Sequence, residues 1–157
     1  MEDKPFDTYI HENILEQIVE DFNRYAEHNS EGIGLLCGKV RKWKEKKYVI
    51  IEEYVTAEND SNEVRARFSR EAFTNLAKQL KDKTIVGWAH SHPNYSCFLS
   101  KTDIDTHKQL FNEEYQVALV IDPLNTRERP ETRFFKVTEN NYSEVSYAVI
   151  KWQNERK

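Results

Sequence analysis

Two histidines, His90 and His92, stand one residue apart at the end of the β-branched and aromatic run Thr84 to Ala89, and Ser100 and Asp103 follow after a short turn-rich loop. Residues i and i+2 of a strand point to the same face, so both imidazoles can converge on one ion. Asp103 then closes the site. Neutral imidazole is the commonest zinc ligand, and a catalytic zinc takes three protein ligands with water in the fourth position. His90, His92 and Asp103 meet that count, so the stretch Trp88 to Asp103 reads as a metal site for one Zn2+ ion.

Ser100-x-x-Asp103 ahead of a helical run also reads as a capping box, in which Ser100 accepts from the first turn and the acid reaches back. The two roles are compatible, because a ligand on the first turn of a helix is rigidly supported by that helix. A zinc hydrolase further needs a base outside the metal shell. Glu31 is the candidate. It opens the glycine-bearing strand Glu31 to Val40, where a substrate or neighbouring strand can approach closely, although it is one acid among many.

The remaining chain sets the frame. With 157 residues it reads as one domain, 1–157, of α/β or α+β type. Its net charge of -4, with both signs scattered along the chain, points neither to nucleic acid nor to a membrane surface. The N-terminus lacks the order of a signal peptide, no apolar run is long enough to span a bilayer, and Cys37 and Cys97 form no C-x-x-C pair; a cytoplasmic protein with reduced thiols is expected.

In chain order, the patterns predict a short strand at Phe6 to His11 and an amphipathic helix carrying Ile14, Leu15, Ile18, Phe22 and Tyr25. A hairpin follows, with its strands at Glu31 to Val40 and Tyr48 to Ala57. The basic RKWKEKK segment between them reads as exposed, solubilising hairpin, with a nucleic-acid patch around Trp43 as the weaker alternative. A surface loop, Glu58 to Arg67, leads to a helix from an Ser69 N-cap to Lys81. Beyond the histidines come a helix from Thr102 to Phe111, an apolar strand from Gln116 to Asp122 ending in a turn at Pro123, a strand from Thr132 to Val137, and a last strand or helix from Val145 to Trp152.

His90-Ser91-His92-Pro93, the spacing to Ser100 and Asp103, the upstream Glu31 with Gly34, Leu36 and Gly38, and Gly87-Trp88 together resemble the JAMM motif of the MPN+ (JAB1/MPN/Mov34) metalloproteases. The resemblance extends through Cys97-Phe98-Leu99 and the segment Ala118 to Pro123. It implies a single MPN/JAB-type domain with a mixed central sheet flanked by helices, a cytidine-deaminase-like arrangement. It also implies that His90, His92 and Asp103 bind zinc, that Glu31 is the base, and that Ser100 stabilises the oxyanion. The substrate implied is a ubiquitin or ubiquitin-like protein, cut after its C-terminal tail in conjugates or precursors. Asn59 and Arg67 in the loop Glu58 to Arg67, with Trp88 and Phe98 near the metal, are the candidate substrate contacts; Trp88 and Phe98 read equally well as core residues that shape the site. Ala89 departs from the larger residue common before the first histidine. The chain ends soon after Trp152, which aligns it with small prokaryotic JAB peptidases, some of which act in antiphage operons beside E1-like and E2-like partner enzymes. A sulfur-carrier-protein peptidase and a non-catalytic MPN-type scaffold stay open as alternatives.

Overall fold

The computed structural model describes residues 5–56, 70–80, 82–124, 131–139 and 141–151. Its strands are β1 (Thr8–His11), β2 (Ile33–Trp43), β3 (Lys46–Thr56), β4 (Thr84–Ser91), β5 (Val117–Asp122), β6 (Glu131–Thr138), β7 (Asn141–Val145) and β8 (Tyr147–Ile150). Three helices, α1 (Glu12–Ala26), α2 (Arg70–Gln79) and α3 (Lys101–Leu110), complete the described elements. The strands form one mixed sheet in the order β7-β6-β5-β4-β2-β3-β1-β8. Pairing is antiparallel in the β2–β3, β2–β4, β5–β6 and β6–β7 ladders and parallel in β4–β5, β1–β3 and β1–β8.

Helices cover both faces, so the central strands are apolar on both sides. β5, VALVID, is buried throughout: Leu119 and Ile121 pack with Ile14, Ile18 and Phe22 of α1, while Ala118 and Val120 pack with Leu80, Leu99 and Phe111 on the other face. β4 also packs on both sides, Val86 and Ala89 with the α1 cluster and Trp88 with the other, the alternation being interrupted by a register shift against β2 where Leu36 pairs with Gly87 and Cys37 with Ile85. The face that carries the histidines is therefore the α3 face.

The predicted hairpin forms, but its strands run through most of the basic segment, and the turn shrinks to Lys44 and Glu45 with φ of 53° and 76°. Both central residues in the left-handed region make this a two-residue turn whose twist matches the strands. β7, sequence NYSEV, has no counterpart among the sequence expectations: it is polar and half exposed at the sheet edge, so it lacks the alternation that marks a strand. Of the segment expected as a strand or helix from Val145 to Trp152, Val145 ends β7 and Tyr147–Ile150 form a strand, β8, which pairs with β1. Only Ser146 separates β7 from β8, yet the two strands end the sheet on opposite edges, so the sheet curls until its edges approach. Ser146 seals the approach through hydrogen bonds with Asp7, and Tyr147 packs on Phe134 of β6 at 4.9 Å between ring centroids. The loop Glu58 to Arg67, including Asn59 and Arg67, and the Ser69 cap lie outside the described residues. None of the described helices is long and apolar enough to cross a membrane.

Candidate metal centre

The period of two carries Trp88, His90 and His92 to the side of the sheet on which α3 begins, and α3 brings Asp103 to meet them. His90 Nε2 lies 3.1 Å from His92 Nε2 and 3.1 Å from Asp103 Oδ2, and His92 Nε2 lies 3.3 Å from the same oxygen. All three residues are buried. Donor atoms held about 2.0–2.1 Å from a tetrahedral ion stand about 3.3 Å apart. The triangle therefore has the size of one face of such a site, and two imidazoles with a carboxylate are a zinc donor set.

Asp103 is fixed before any ligand arrives. Ser100 Oγ accepts the Asp103 N–H at 3.1 Å, and Asp103 Oδ2 accepts the Ser100 N–H at 3.0 Å, so the capping box read from the sequence is formed. Burial alone would raise the Asp103 carboxyl, but the His90 and His92 imidazoles and the Ser100 N–H hold it well below the usual carboxylate range. Burial likewise opposes the charged form of His92. Asp103, with further help from the charge of Glu31 and the Ser96 carbonyl, nevertheless holds that imidazole above its ordinary value.

The two histidines are oriented differently. His92 Nδ1 lies 3.2 Å from the Ser96 carbonyl. A carbonyl can only accept, so Nδ1 carries the proton and Nε2 is left with its lone pair toward the triangle. His90 Nδ1 is buried without a hydrogen-bond partner among the described residues. Its ring lies flat against the Trp88 indole, 4.6 Å between centroids and 11° between planes. Trp88 in turn lies nearly parallel to Phe111 and donates its indole N–H to His107 Nδ1 at 3.0 Å.

Glu31 precedes β2, and the pairing of Ile33 with His90 brings it to the metal end of β4. Ser91, between the two histidines and pointing to the other face, accepts the Gly32 N–H on its Oγ at 2.8 Å, while the Ser91 N–H bonds to the Gly32 carbonyl. Gly32 has no room for a side chain: a Cβ there would stand 2.6 Å from the Phe22 ring and 2.8 Å from that of Tyr25. The close approach allowed by this glycine is thus to α1, and it sets the path on which Glu31 leaves the sheet.

The loop after the histidines is organised by Asp122. Its carboxylate accepts the N–H groups of Asn94, Ser96 and Leu124 at 2.7, 2.9 and 3.0 Å. Asn94 and Ser96 have φ of 69° and 72°, left-handed conformations that these bonds hold in place. Trp88 is buried at 2% exposure and acts on the site from beneath, whereas Phe98, 41% exposed, packs beside the His92 ring at 4.7 Å. Cys97 is a packing thiol whose single S–H has the Val120 and Glu131 carbonyls within reach as acceptors. Three supporting residues escape sequence reasoning: Ser91, His107 and Asp122. Each had a faint signal, Ser91 as the residue between two histidines, His107 one helical turn after Asp103, and Asp122 as an acid closing an apolar strand.

Comparison with known proteins identifies the family. Residues 5–116 match the family model described as JAB1/Mov34/MPN/PAD-1 ubiquitin protease. COP9 signalosome complex subunit 5 of Debaryomyces hansenii is 30% identical over 131 residues, covering 76% of this chain and 27% of its own length. AMSH-like ubiquitin thioesterase 2 of Arabidopsis thaliana is 28% identical over 139 residues, covering 85% of this chain and 59% of its own length. The chain thus spans about a quarter of the first relative and three fifths of the second. The solution structure of protein DSY2949 from Desulfitobacterium hafniense matches with a TM-score of 0.68 at 19% identity, covering 92% of this chain and 94% of that one, and shares its fold. By its matched residues, its curled mixed sheet and its motif, the chain belongs to the JAB1/Mov34/MPN/PAD-1 family.

Proposed function

We propose that the protein is a zinc-dependent isopeptidase or peptidase that cuts after the C-terminal tail of a ubiquitin-like protein, releasing it from conjugates or maturing its precursor. The observation that carries this reading is the zinc-sized triangle of His90, His92 and Asp103 with Glu31 just ahead of the adjoining strand β2, its charge felt by His92. Bound there, zinc supplies Lewis acidity to a carbonyl and makes water acidic at neutral pH. Glu31 takes the proton from the attacking water and returns it to the leaving amine. Ser100 Oγ already accepts the Asp103 N–H, which leaves its own O–H to donate to the oxygen that gains negative charge. Phe98 offers an exposed apolar wall beside His92 for an extended tail ending in glycines.

Within this reading the conjugates are made by E1-like and E2-like enzymes of the same system, including the prokaryotic systems that serve antiphage defence. The buried free thiols of Cys37 and Cys97 suit a cytoplasmic setting.

The test is cleavage of a ubiquitin-like protein fused through its C-terminus to a reporter, by zinc-loaded protein. Cleavage at the tail is expected, and Glu31→Gln should lower the rate about a thousandfold while zinc stays bound. Equal rates in the two proteins would sink the mechanism. A sulfur-carrier fusion cut in preference would move the substrate class, and bound zinc without cleavage of either fusion would favour a scaffold.

A further inference from the structure

His90 lacks the support that His92 has. Ligating histidines ordinarily donate the second ring nitrogen to a carbonyl or carboxylate, which fixes ring orientation and tautomer. His92 does so through Ser96, whereas His90 Nδ1 has no such partner among the described residues. What holds the His90 ring is the face of Trp88, 4.6 Å away and 11° from parallel. A stacked ring can orient its neighbour only if it is itself unable to rotate. Trp88 is buried, lies 7° from parallel with Phe111, and its N–H is fixed on His107 Nδ1 at 3.0 Å.

We infer that His107 is a positioning residue for the metal centre: by accepting the Trp88 indole N–H it fixes the plane on which His90 stacks, and so the direction in which His90 Nε2 points. This rests on reading His90, His92 and Asp103 as the zinc ligands. The placement on α3 is economical, because Asp103 and His107 are one helical turn apart and share a face. One helix thereby supplies a ligand directly and aims a second through the indole. His107 is suited to the task, since burial pushes its imidazole down to about 4 and leaves Nδ1 an acceptor at neutral pH.

The metal itself is the probe. Metal-free protein is titrated with Co2+, whose visible bands report coordination geometry, and Zn2+ affinity is measured by competition with a chelator. Wild type should take up one equivalent, and His90→Ala should lose it; stoichiometric binding unaffected by His90→Ala, or no binding by wild type, would overturn the ligand reading itself. With that established, His107→Phe should weaken metal binding about 10- to 100-fold and alter the Co2+ bands. His107→Asn, whose Oδ1 occupies the bond position of Nδ1, should recover wild-type bands and affinity to within about threefold, a rescue expected because asparagine restores the acceptor.

Trp88→Phe keeps a stacking ring but has no N–H to place and leaves no buried donor unpaired, so it folds without His107's help. In that background, adding His107→Phe should change affinity no further, the signature of a residue that acts through its partner. Wild-type affinity and bands in His107→Phe, or an equal penalty with and without the Trp88 N–H, would overturn the inference while leaving the ligand reading standing. A purely structural role would lower the melting temperature without moving the Co2+ bands.

Discussion

Asp103 does two things with one oxygen. Oδ2 accepts the Ser100 N–H and also faces both imidazoles, so the helix cap presets the carboxylate that completes the triangle. This was legible in the sequence, because a period of two and the Ser-x-x-Asp spacing are local rules that need no tertiary information. Ser91 and His107 were not legible, since their value depends on which strand or ring lies opposite. His107 also carries a pH signature. Its folded value, about 4, lies below the roughly 6.5 of an unfolded imidazole, so the unfolded chain binds the proton first and stability falls as pH drops through that window. Wild-type metal-free protein should lose up to about 3 kcal/mol on this account between pH ~6.5 and ~4. Urea unfolding of His107→Asn at the same pH values should give a shallower fall, groups common to both proteins cancelling in the difference. Parallel curves would argue against a buried neutral imidazole at this position.

At the scale of elements, the working unit is β4, the loop behind it and α3. Prediction of strand, loop and helix from the sequence holds here to within a residue or two, and the hairpin was readable too, β2 as an apolar run with glycines and β3 from its Val, Ile and Tyr content, though β2 runs on to Trp43. The loop's conformation was not, because it is imposed from β5 by the Asp122 carboxylate. Asp122→Ala would strand three N–H groups that now bond to a charge, and urea unfolding should show a loss of about 3 kcal/mol or more. Metal affinity should fall about tenfold as well, since the Ser96 carbonyl that orients His92 belongs to the same loop. Unchanged affinity in a folded Asp122→Ala protein would uncouple the loop from the site.

For the whole molecule, the juxtaposition of Glu31 with the histidines is a product of sheet order. No periodicity announces that β2 pairs antiparallel with β4, and only that register brings Glu31 toward the two histidines. β7 was invisible for a related reason: an edge strand with a polar sequence is recognisable only by the neighbour that pairs with it. Architecture also separates function from closure, because Asp7 and Ser146 tie the sheet together near the hairpin side of β3, whereas the metal end lies at the start of β2. Asp7→Ala removes the Lys46 ion pair and the bonds that Ser146 donates to the Asp7 carboxylate, leaving the Asp7 N–H on Ser146 Oγ. It should cost about 1–2 kcal/mol in thermal unfolding, with zinc affinity unchanged in chelator competition.

The pairing of β8 with β1 bears on how the protein is made. Strand β1 leaves the ribosome before the other described strands, yet its outer ladder is supplied by Tyr147–Ile150. The ladders around β2, β4 and β5 can form while synthesis continues, but β1 waits with one edge open until those four residues emerge. A nascent chain stalled before them would carry a nearly assembled metal centre on a sheet that cannot yet close.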